Sequence, residues 1–217
     1  MKLFYRLLTI ILLFSFIQIG NSKGHPSEKK ELVGWELITE SAGIKMYERW
    51  VKSDKDVKVR ERSGKMTLHS TVEEVVKLIS DASKAHLWMS NVEDVKILKN
   101  VSSTEWFQRT VLDAPWPFSK QDMVSRYIIE CDTNNEKVTI KILRETKLFP
   151  KQEGVDRLDS FNAEWVIENV KENKVKITFT TKSTKPPKYP AWAQDPVVRN
   201  MFFSNLKNFK KVILEKS

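Results

Sequence analysis

The sequence predicts an α+β domain in which an antiparallel sheet is covered by one long C-terminal helix. Most of the chain between residues 94 and 181 reads as strands joined by turns, and two of these strands alternate clearly between apolar and polar residues. Such alternation indicates one buried face and one solvent-facing face. Val197–Lys216 carries apolar residues at steps of three and four, which predicts a helix with a single apolar stripe. We expect this helix to cover the apolar face of the sheet.

The first half of the chain predicts a mixture of helices and strands. In order, the elements are a helix at Ser27–Glu40, strands at Ile44–Tyr47 and Val57–Met66, a helix that begins at Ser70, and a short helical piece at Ser83–Asn91. The first helix is indicated by Leu32, Trp35 and Ile38, which share one side at helical spacing. The helix at Ser70 is indicated by a capping box with Glu73.

The second half predicts six strands, several of them joined as antiparallel hairpins. These strands are Asp94–Lys99, Thr104–Leu112, Asp122–Cys131, Lys137–Glu145, Phe161–Val170 and Lys174–Thr181. Turn residues at Asn134-Asn135 and Glu172-Asn173 connect neighbouring strands. The proline-rich segment Lys185–Pro196 predicts a loop between the last strand and the final helix.

The N-terminus reads as a secretory signal peptide. Lys2 and Arg6 precede an uncharged apolar run over residues 7–19, and small residues follow at positions 20–22. The run is shorter than the ~20 apolar residues that a membrane-spanning helix needs. We therefore expect cleavage after Ser22, a soluble domain over residues 23–217, and export to the periplasm or the exterior.

Composition and net charge indicate which classes of partner to expect. The chain has 37 basic and 28 acidic residues and a net charge of +9, which indicates a solvated, lysine-rich surface; a sharper interpretation is transient contact with an anionic membrane. Nucleic acid is not an expected partner, because export would separate the chain from it and no groove-reading motif occurs. The single cysteine, Cys131, forms no internal disulfide. We expect a monomer.

Four parts of the sequence, in this order and spacing, carry a resemblance to a known family. They are SAGIKMYERW (Ser41–Trp50), VVKLISDASKAHLWMSNVEDVKIL (Val75–Leu98), APWPFSKQDMV (Ala114–Val124), and FNAEWVIEN (Phe161–Asn169) with PAWAQDPVVRNMFFSNLKNF (Pro190–Phe209). Over residues 30–215 the chain resembles the START (steroidogenic acute regulatory protein-related lipid transfer) domain of the helix-grip superfamily. It departs from the family at Gln121, where an Arg usually precedes the Asp. We therefore expect any salt bridge at this turn, which contains Asp122, to be weaker than in the family.

The resemblance implies a helix-grip fold: a curved antiparallel sheet wrapped around the long C-terminal helix, with an internal hydrophobic cavity for a lipid or other apolar molecule. The candidate ligand-binding residues are Trp88, Trp106, Met123, Phe161, Trp165, Phe179, Trp192, Met201 and Phe202. Core packing is the competing interpretation for those on the strands and the helix. Trp192, among prolines, is the best candidate for the cavity mouth, on a segment, Lys185–Pro196, that would swing as a flap. Trp116, between two prolines, is interpreted as a turn clamp.

Two arginines on the second strand have an orientation that the sequence leaves open. Arg60 and Arg62 share a phase with Met66, so both would enter the cavity if that phase points inward, and could meet a carboxylate or phosphate. If Val57 and Val59 set the inward phase, both arginines are solvated. The solvated orientation is the one the sequence favours.

The sequence shows no recognisable catalytic apparatus. His25, His69 and His86 are not spaced as metal ligands, and neither a GxSxG motif nor a phosphate-binding glycine loop occurs. We expect a non-enzymatic carrier or sensor of a lipid, with no cofactor and no metal. The alternative is a polyketide cyclase or aromatase, which needs His86, Arg62 or Tyr127 inside the cavity. A third reading is an accessory protein that binds another exported protein through its basic surface.

Overall fold

The computed structural model describes residues 34–53, 56–134 and 136–215. The predicted signal peptide at residues 1–22, His25, the first part of the predicted helix Ser27–Glu40, and Asn135 of a predicted turn lie outside these residues. No helix in the described part of the chain is both long and apolar enough to cross a membrane.

A single sheet of ten strands contains about half of the described residues. The strands are β1 Glu36–Ser41, β2 Ile44–Lys52, β3 Lys58–His69, β4 Val92–Ser102, β5 Glu105–Leu112, β6 Gln121–Cys131, β7 Lys137–Arg144, β8 Asp156–Arg157, β9 Phe161–Lys171 and β10 Lys174–Ser183. Their order is β1-β2-β3-β10-β9-β7-β6-β5-β4, with the two-residue β8 beside β6. Neighbours are antiparallel except for the parallel pair β6–β8. The eight predicted strands are confirmed with shifted ends, and β8 was too short to show a pattern.

The helices cover one face of this sheet. They are α1 Val72–Ser80, a 3-10 turn at Ala82–Lys84, α2 Ala85–Trp88 and α3 Ala191–Leu214. A reciprocal capping box between Thr71 and Glu74 opens α1, one residue after the predicted one. Because a capping box satisfies two otherwise unpaired backbone donors, it fixes where the helix begins.

The predicted helix over Ser27–Glu40 is wrong where the structure describes it, because residues 36–41 form β1. Ala42 and Gly43 both have positive φ, of 53° and 71°, and they join β1 to β2 as a two-residue hairpin turn. Such a turn matches the twist of paired strands and commits the residues before it to a ladder. Helical spacing of Trp35 and Ile38 was therefore overridden by pairing with β2.

The final helix begins six residues earlier than predicted, at Ala191 instead of Val197. Pro196 lies inside the helix, where it has no N–H to donate to the carbonyl four residues before it. Ala193 and Gln194 both donate backbone hydrogen bonds to the Pro190 carbonyl, at 3.0 and 3.1 Å. The predicted loop Lys185–Pro196 therefore ends at Pro190.

The main core lies between the curved sheet and α3. The closest approach is at Gly64 of β3, where an added Cβ would stand 2.2 Å from Leu206 Cδ1 and 3.2 Å from Phe202 Cε1. Glycine is therefore the residue that lets the helix backbone come this near to the strand. This contact confirms the predicted packing of the last helix on the sheet.

Candidate functional site

An aromatic cluster occupies the space between α3 and the sheet. Trp165 of β9 stacks on Phe179 of β10 with ring centroids 4.1 Å apart, and it lies 4.8 Å from Phe209 of α3. Phe179 in turn stacks on Phe202 at 5.5 Å. Trp88 of α2 meets Trp165 edge-on at 5.8 Å. The sequence reasoning singled out Trp88, Trp165, Phe179 and Phe202, and the structure brings all four into one cluster.

Two indole N–H groups in this cluster have no acceptor. Nε1 of Trp88 and Nε1 of Trp165 are buried and have no hydrogen-bond partner among the described residues. Trp165 is 1% exposed and Trp88 8%. Leaving a buried donor unpaired costs roughly 1–3 kcal/mol of stability. The aromatic cluster therefore holds two N–H groups that could each donate a hydrogen bond to an oxygen atom of a ligand.

A second set of buried polar side chains lies on β5 and β6, on the face shared with Met123. Gln108 Nε2 donates to Tyr127 Oη at 3.3 Å and to Thr110 Oγ1 at 3.1 Å. Trp106 stacks on Tyr127 at 4.9 Å and donates its indole N–H to Gln108 Oε1 at 3.4 Å. Burial raises the pKa of Tyr127, so this phenol stays protonated at neutral pH and acts as a hydrogen-bonding group.

Charged side chains form a third group where the start of α3 meets β2 and β3. Glu48 and Arg62 are buried, and Arg62 Nε donates to Glu48 Oε1 at 2.6 Å. Asp195 of α3 accepts from Arg60 Nη2 at 2.5 Å and from Arg62 Nη2 at 3.2 Å. Arg199 of α3 donates to Glu48 Oε2 through both Nε and Nη2, at 3.1 and 2.6 Å. We call these five residues the charged cluster.

The electrostatics of the charged cluster follow from burial and pairing. Burial alone would raise the pKa of Glu48, but hydrogen bonds and positive charge from Arg199 and Arg62 hold that pKa below its ordinary value. Burial lowers the pKa of Arg62, against the opposing effect of Glu48 and Asp195. The hydrogen bond to Glu48 raises the pKa of Arg199. Glu48, Arg62 and Arg199 are therefore charged at neutral pH.

The prediction that Arg60 and Arg62 are solvated is wrong. Gly64 of the same strand faces α3, and alternate residues of a strand share a face, so both arginines also point toward the helix. Val59 on the opposite phase is buried as well, so its burial did not exclude theirs. Sequence reasoning missed Glu48 and Asp195, whose carboxylates make this burial tolerable; the available signal was that Glu48 shares a phase with apolar Ile44 and Met46.

A cleft of about 410 Å³ lies beside the first half of α3. Its walls include Met201 and Pro196 from the helix, Pro115 from the β5–β6 loop, and Ser90 and Asn91 from the turn before β4. The Ser90 backbone N–H donates to Asn205 Oδ1 at 2.7 Å, which ties this turn to the helix. Of the predicted ligand contacts, Met201 lies at this cleft rather than in the aromatic cluster.

The remaining predicted site residues lie in different surroundings. Phe161 of β9 is half-buried against the core, and Met123 is buried opposite Thr110. Trp192, predicted in a loop, instead lies in the first turn of α3 and is 77% exposed. Trp116 is 73% exposed, so it does not clamp its turn by packing. The ligand contacts of the whole predicted set stay a prediction.

The segment predicted to swing as a flap is half helix and half pinned loop. Residues 191–196 belong to α3. In the preceding loop, Lys188 pairs with Asp156 at 3.0 Å, and the Tyr189 ring meets Phe118 of the β5–β6 loop edge-on at 5.4 Å. The prediction that the whole of Lys185–Pro196 is a loop is therefore wrong, because its second half is helical. That the segment moves to admit a ligand stays a prediction.

Asp122 keeps strong ion pairs although Gln121 replaces the arginine usual in the family. Arg109 Nε donates to Asp122 Oδ2 at 2.8 Å and Arg157 Nε to Asp122 Oδ1 at 2.6 Å. Burial would raise the pKa of Asp122, but the two arginines lower it below its ordinary value. The expectation of a weakened salt bridge is therefore wrong, because Arg109 of β5 and Arg157 of β8 supply the positive partners.

Among the described residues, no three His, Cys, Asp or Glu side chains come together as a metal site would require.

Comparison with known proteins shows where this fold occurs. No family model matches the sequence, and no curated protein matches it. The structure is similar to a STAR-related lipid transfer protein from Xanthomonas axonopodis, with 26% identity, a TM-score of 0.71, and coverage of 83% of this chain and 98% of that chain. It is also similar to human StAR-related lipid transfer protein 5, with 16% identity, a TM-score of 0.73 and coverage of 87% and 90%.

A more distant likeness extends to enzymes. The ZhuI aromatase/cyclase from Streptomyces sp. R1128 is 14% identical, with a TM-score of 0.53 and coverage of 73% of this chain and 95% of that chain. The shared architecture is a large curved antiparallel sheet that packs on a long C-terminal helix. This architecture, together with the likeness to the Xanthomonas protein, shows that the chain has the helix-grip fold of the START superfamily.

Proposed function

We propose that this protein binds a lipid or another hydrophobic small molecule between α3 and the sheet, as a carrier or sensor and without catalysing its conversion. The observation that carries the proposal is the pair of unpaired indole N–H groups of Trp88 and Trp165 inside an aromatic cluster. Ligand sites are mostly apolar with a few polar groups that fix orientation. A ligand with one hydroxyl, carbonyl or ether oxygen would satisfy both requirements.

The fold neighbours support the same class of ligand. The Xanthomonas protein and the human protein are named as lipid transfer proteins. The cleft beside Met201 supports a route inward, because it lies between α3 and the β5–β6 loop.

An enzyme of the aromatase and cyclase type is the second candidate. Arg62 and Tyr127 are both buried, and that chemistry needs at least one of His86, Arg62 and Tyr127 inside the cavity. Against it, the raised pKa of Tyr127 makes the phenol a poor general base at neutral pH. His86 is exposed. We therefore favour binding over catalysis.

Export and a transient membrane contact belong to the same proposal. The charged start, apolar run and small residues of positions 1–22 support a cleaved signal. Exposed Trp116 and Trp192, together with the positive net charge, support contact with an anionic bilayer. N-terminal sequencing of the exported protein should begin near Lys23, and a retained Met1 would contradict export.

Native mass spectrometry of the purified protein, followed by organic extraction, tests the central claim. We expect a copurifying apolar molecule that carries at least one oxygen. Rebinding of that molecule should weaken several-fold in Trp165→Phe, which keeps an aromatic ring but removes the N–H. Trp116→Phe is the matched control, because Trp116 is exposed, and should bind as the wild type does. Unchanged binding by Trp165→Phe would contradict the role given to the indole.

A further inference from the structure

The charged cluster contains more positive charge and more donors than its acids can pair. It holds three guanidinium groups and two carboxylates: Arg60, Arg62 and Arg199 against Glu48 and Asp195. Each guanidinium has five N–H donors, yet only five hydrogen bonds reach the two carboxylates. All four carboxylate oxygens are already used in these bonds.

One of the surplus donors is buried. Arg60 Nε has no hydrogen-bond partner among the described residues, and the Arg60 side chain is 13% exposed. Leaving such a donor unpaired is unfavourable, and an excess buried charge more so. Glu36 attracts Arg199 from a longer range, but Glu36 is exposed, so solvent screens it. A cluster that served only to fasten α3 would be expected to balance its charge.

The cluster lies at the boundary between the core and solvent. The Arg199 side chain is 37% exposed, and the half-exposed ring of Trp50 covers the Arg60 guanidinium at 3.9 Å. On the inner side, Gly64 follows Arg62 on the same face of β3, and Phe202 approaches Gly64. Charged donors and the aromatic cluster are therefore neighbours along one strand.

We propose that the charged cluster is an anion site that binds the carboxylate or phosphate head group of an amphipathic ligand whose apolar part lies against the aromatic cluster. A planar guanidinium pairs with two oxygens of such a group at once, and an anion would balance the charge of the cluster. The inference rests on the proposed binding function and adds the ligand's chemical class: an acidic lipid.

The test compares an acid with its uncharged ester. cis-Parinaric acid and its methyl ester share one fluorescent apolar chain, so their affinities differ only through the head group. We expect the purified protein to bind the acid at least about tenfold more tightly than the ester. Arg60→Gln should remove that preference by weakening the acid alone. Arg49→Gln is the matched control, because Arg49 pairs with Glu61 on the phase of β2 opposite Glu48, and it should keep the preference.

Each outcome decides the proposal. If acid and ester bind equally to the wild type, ligand binding stands and the anion site is wrong. If neither binds, the binding function itself fails and the site with it. Should Arg60→Gln fail to fold, Arg199→Gln, at a part-exposed position, must abolish the preference instead. Millimolar inorganic phosphate should displace little of the bound acid, because it lacks an apolar chain; full displacement would make this a site for free phosphate and overturn the head-group assignment.

Discussion

Gly64 of β3 lies directly under Leu206 of α3, so that a Cβ at Gly64 would stand 2.2 Å from Leu206 Cδ1. Leu206 is 1% exposed, and its neighbours leave it little room to retreat, since protein interiors are close-packed. This contact sets how closely the helix approaches the sheet.

Gly64→Ala should therefore destabilise the fold by overpacking, by about 1–3 kcal/mol. Chemical denaturation of the variant measures the loss. Leu206→Ala alone should also destabilise, by about 2–5 kcal/mol, because it leaves a cavity. In the double variant the new methyl group occupies part of that cavity, so the combined loss should be smaller than the sum. Additive losses would show that the two residues do not control the same contact.

The architecture was predictable from the sequence because its strands carry a regular signal. The strands β9 and β10 alternate along their length, and their inward residues Trp165, Ile167 and Ile177 are all buried. The stripe of α3 was equally clear, and Phe202, Leu206 and Phe209 are all buried as it required. In these elements the spacing of the apolar residues matches the observed burial, because each element has one face in the core and one in solvent.

The rest depended on contacts between distant residues. The conformation of Glu36–Ser41 was decided by the Ala42-Gly43 turn and by pairing with β2. Burial of Arg62 was decided by Glu48, 14 residues away, and by Asp195, 133 residues away. A pattern of apolar residues carries no information about which charged residues pair in the fold. The polar part of the candidate site could therefore not be predicted from the sequence.

Asp195→Asn should loosen the start of α3. The substitution weakens two hydrogen bonds to arginines and leaves the charged cluster with a larger positive excess, which should cost about 2–3 kcal/mol of stability. Hydrogen exchange at residues 191–199 should speed up more than elsewhere in the helix. The control is Glu215→Gln, because Glu215 and its partner Lys211 are exposed and such pairs contribute little. Uniform exchange along α3 would contradict a local role for Asp195.

Acid should unfold the protein partly through Asp122 and Glu48. Both carboxyl groups are buried, and arginine partners hold their pKa values below the ordinary 3.8 and 4.5. A depressed folded-state pKa gives stability that is fully present above the unfolded pKa and is lost as the pH falls through the folded one. The free energy of unfolding should therefore fall as the pH drops below about 4.5.

Asp122→Asn isolates one of these contributions. The variant should be less stable at neutral pH, because Arg109 and Arg157 lose their shared carboxylate. Its stability should also fall less steeply than that of the wild type from about pH 4 downward, since one titrating group is gone. Urea denaturation at a series of pH values measures both effects. Parallel curves for the two proteins would contradict the assignment.

Two exposed tryptophans, one in the β5–β6 loop and one in the first turn of α3, should mediate the proposed membrane contact. Trp116 and Trp192 are 73% and 77% exposed, and the segments that carry them are joined by the contact between Phe118 and Tyr189. Tryptophan favours the boundary between lipid head groups and hydrocarbon. The two indoles are therefore carried by two linked segments, the β5–β6 loop and α3, that also line the cleft.

Trp116→Ala combined with Trp192→Ala should lower binding to vesicles of phosphatidylglycerol and phosphatidylcholine by about tenfold or more, while stability changes by no more than about 0.5 kcal/mol because neither ring is buried. Sedimentation with vesicles measures binding, and urea denaturation measures stability.

Val170→Ala is the control. Val170 is 55% exposed but lies at the opposite end of β9 from Phe161, so vesicle binding should persist. Added salt should weaken vesicle binding by the wild-type protein, because salt screens the attraction between its positive net charge and anionic lipid. Equal vesicle binding by the double variant and the Val170 control would show that the aromatic pair does not dock the protein, and a large loss of stability would show that the two rings pack rather than reach the bilayer.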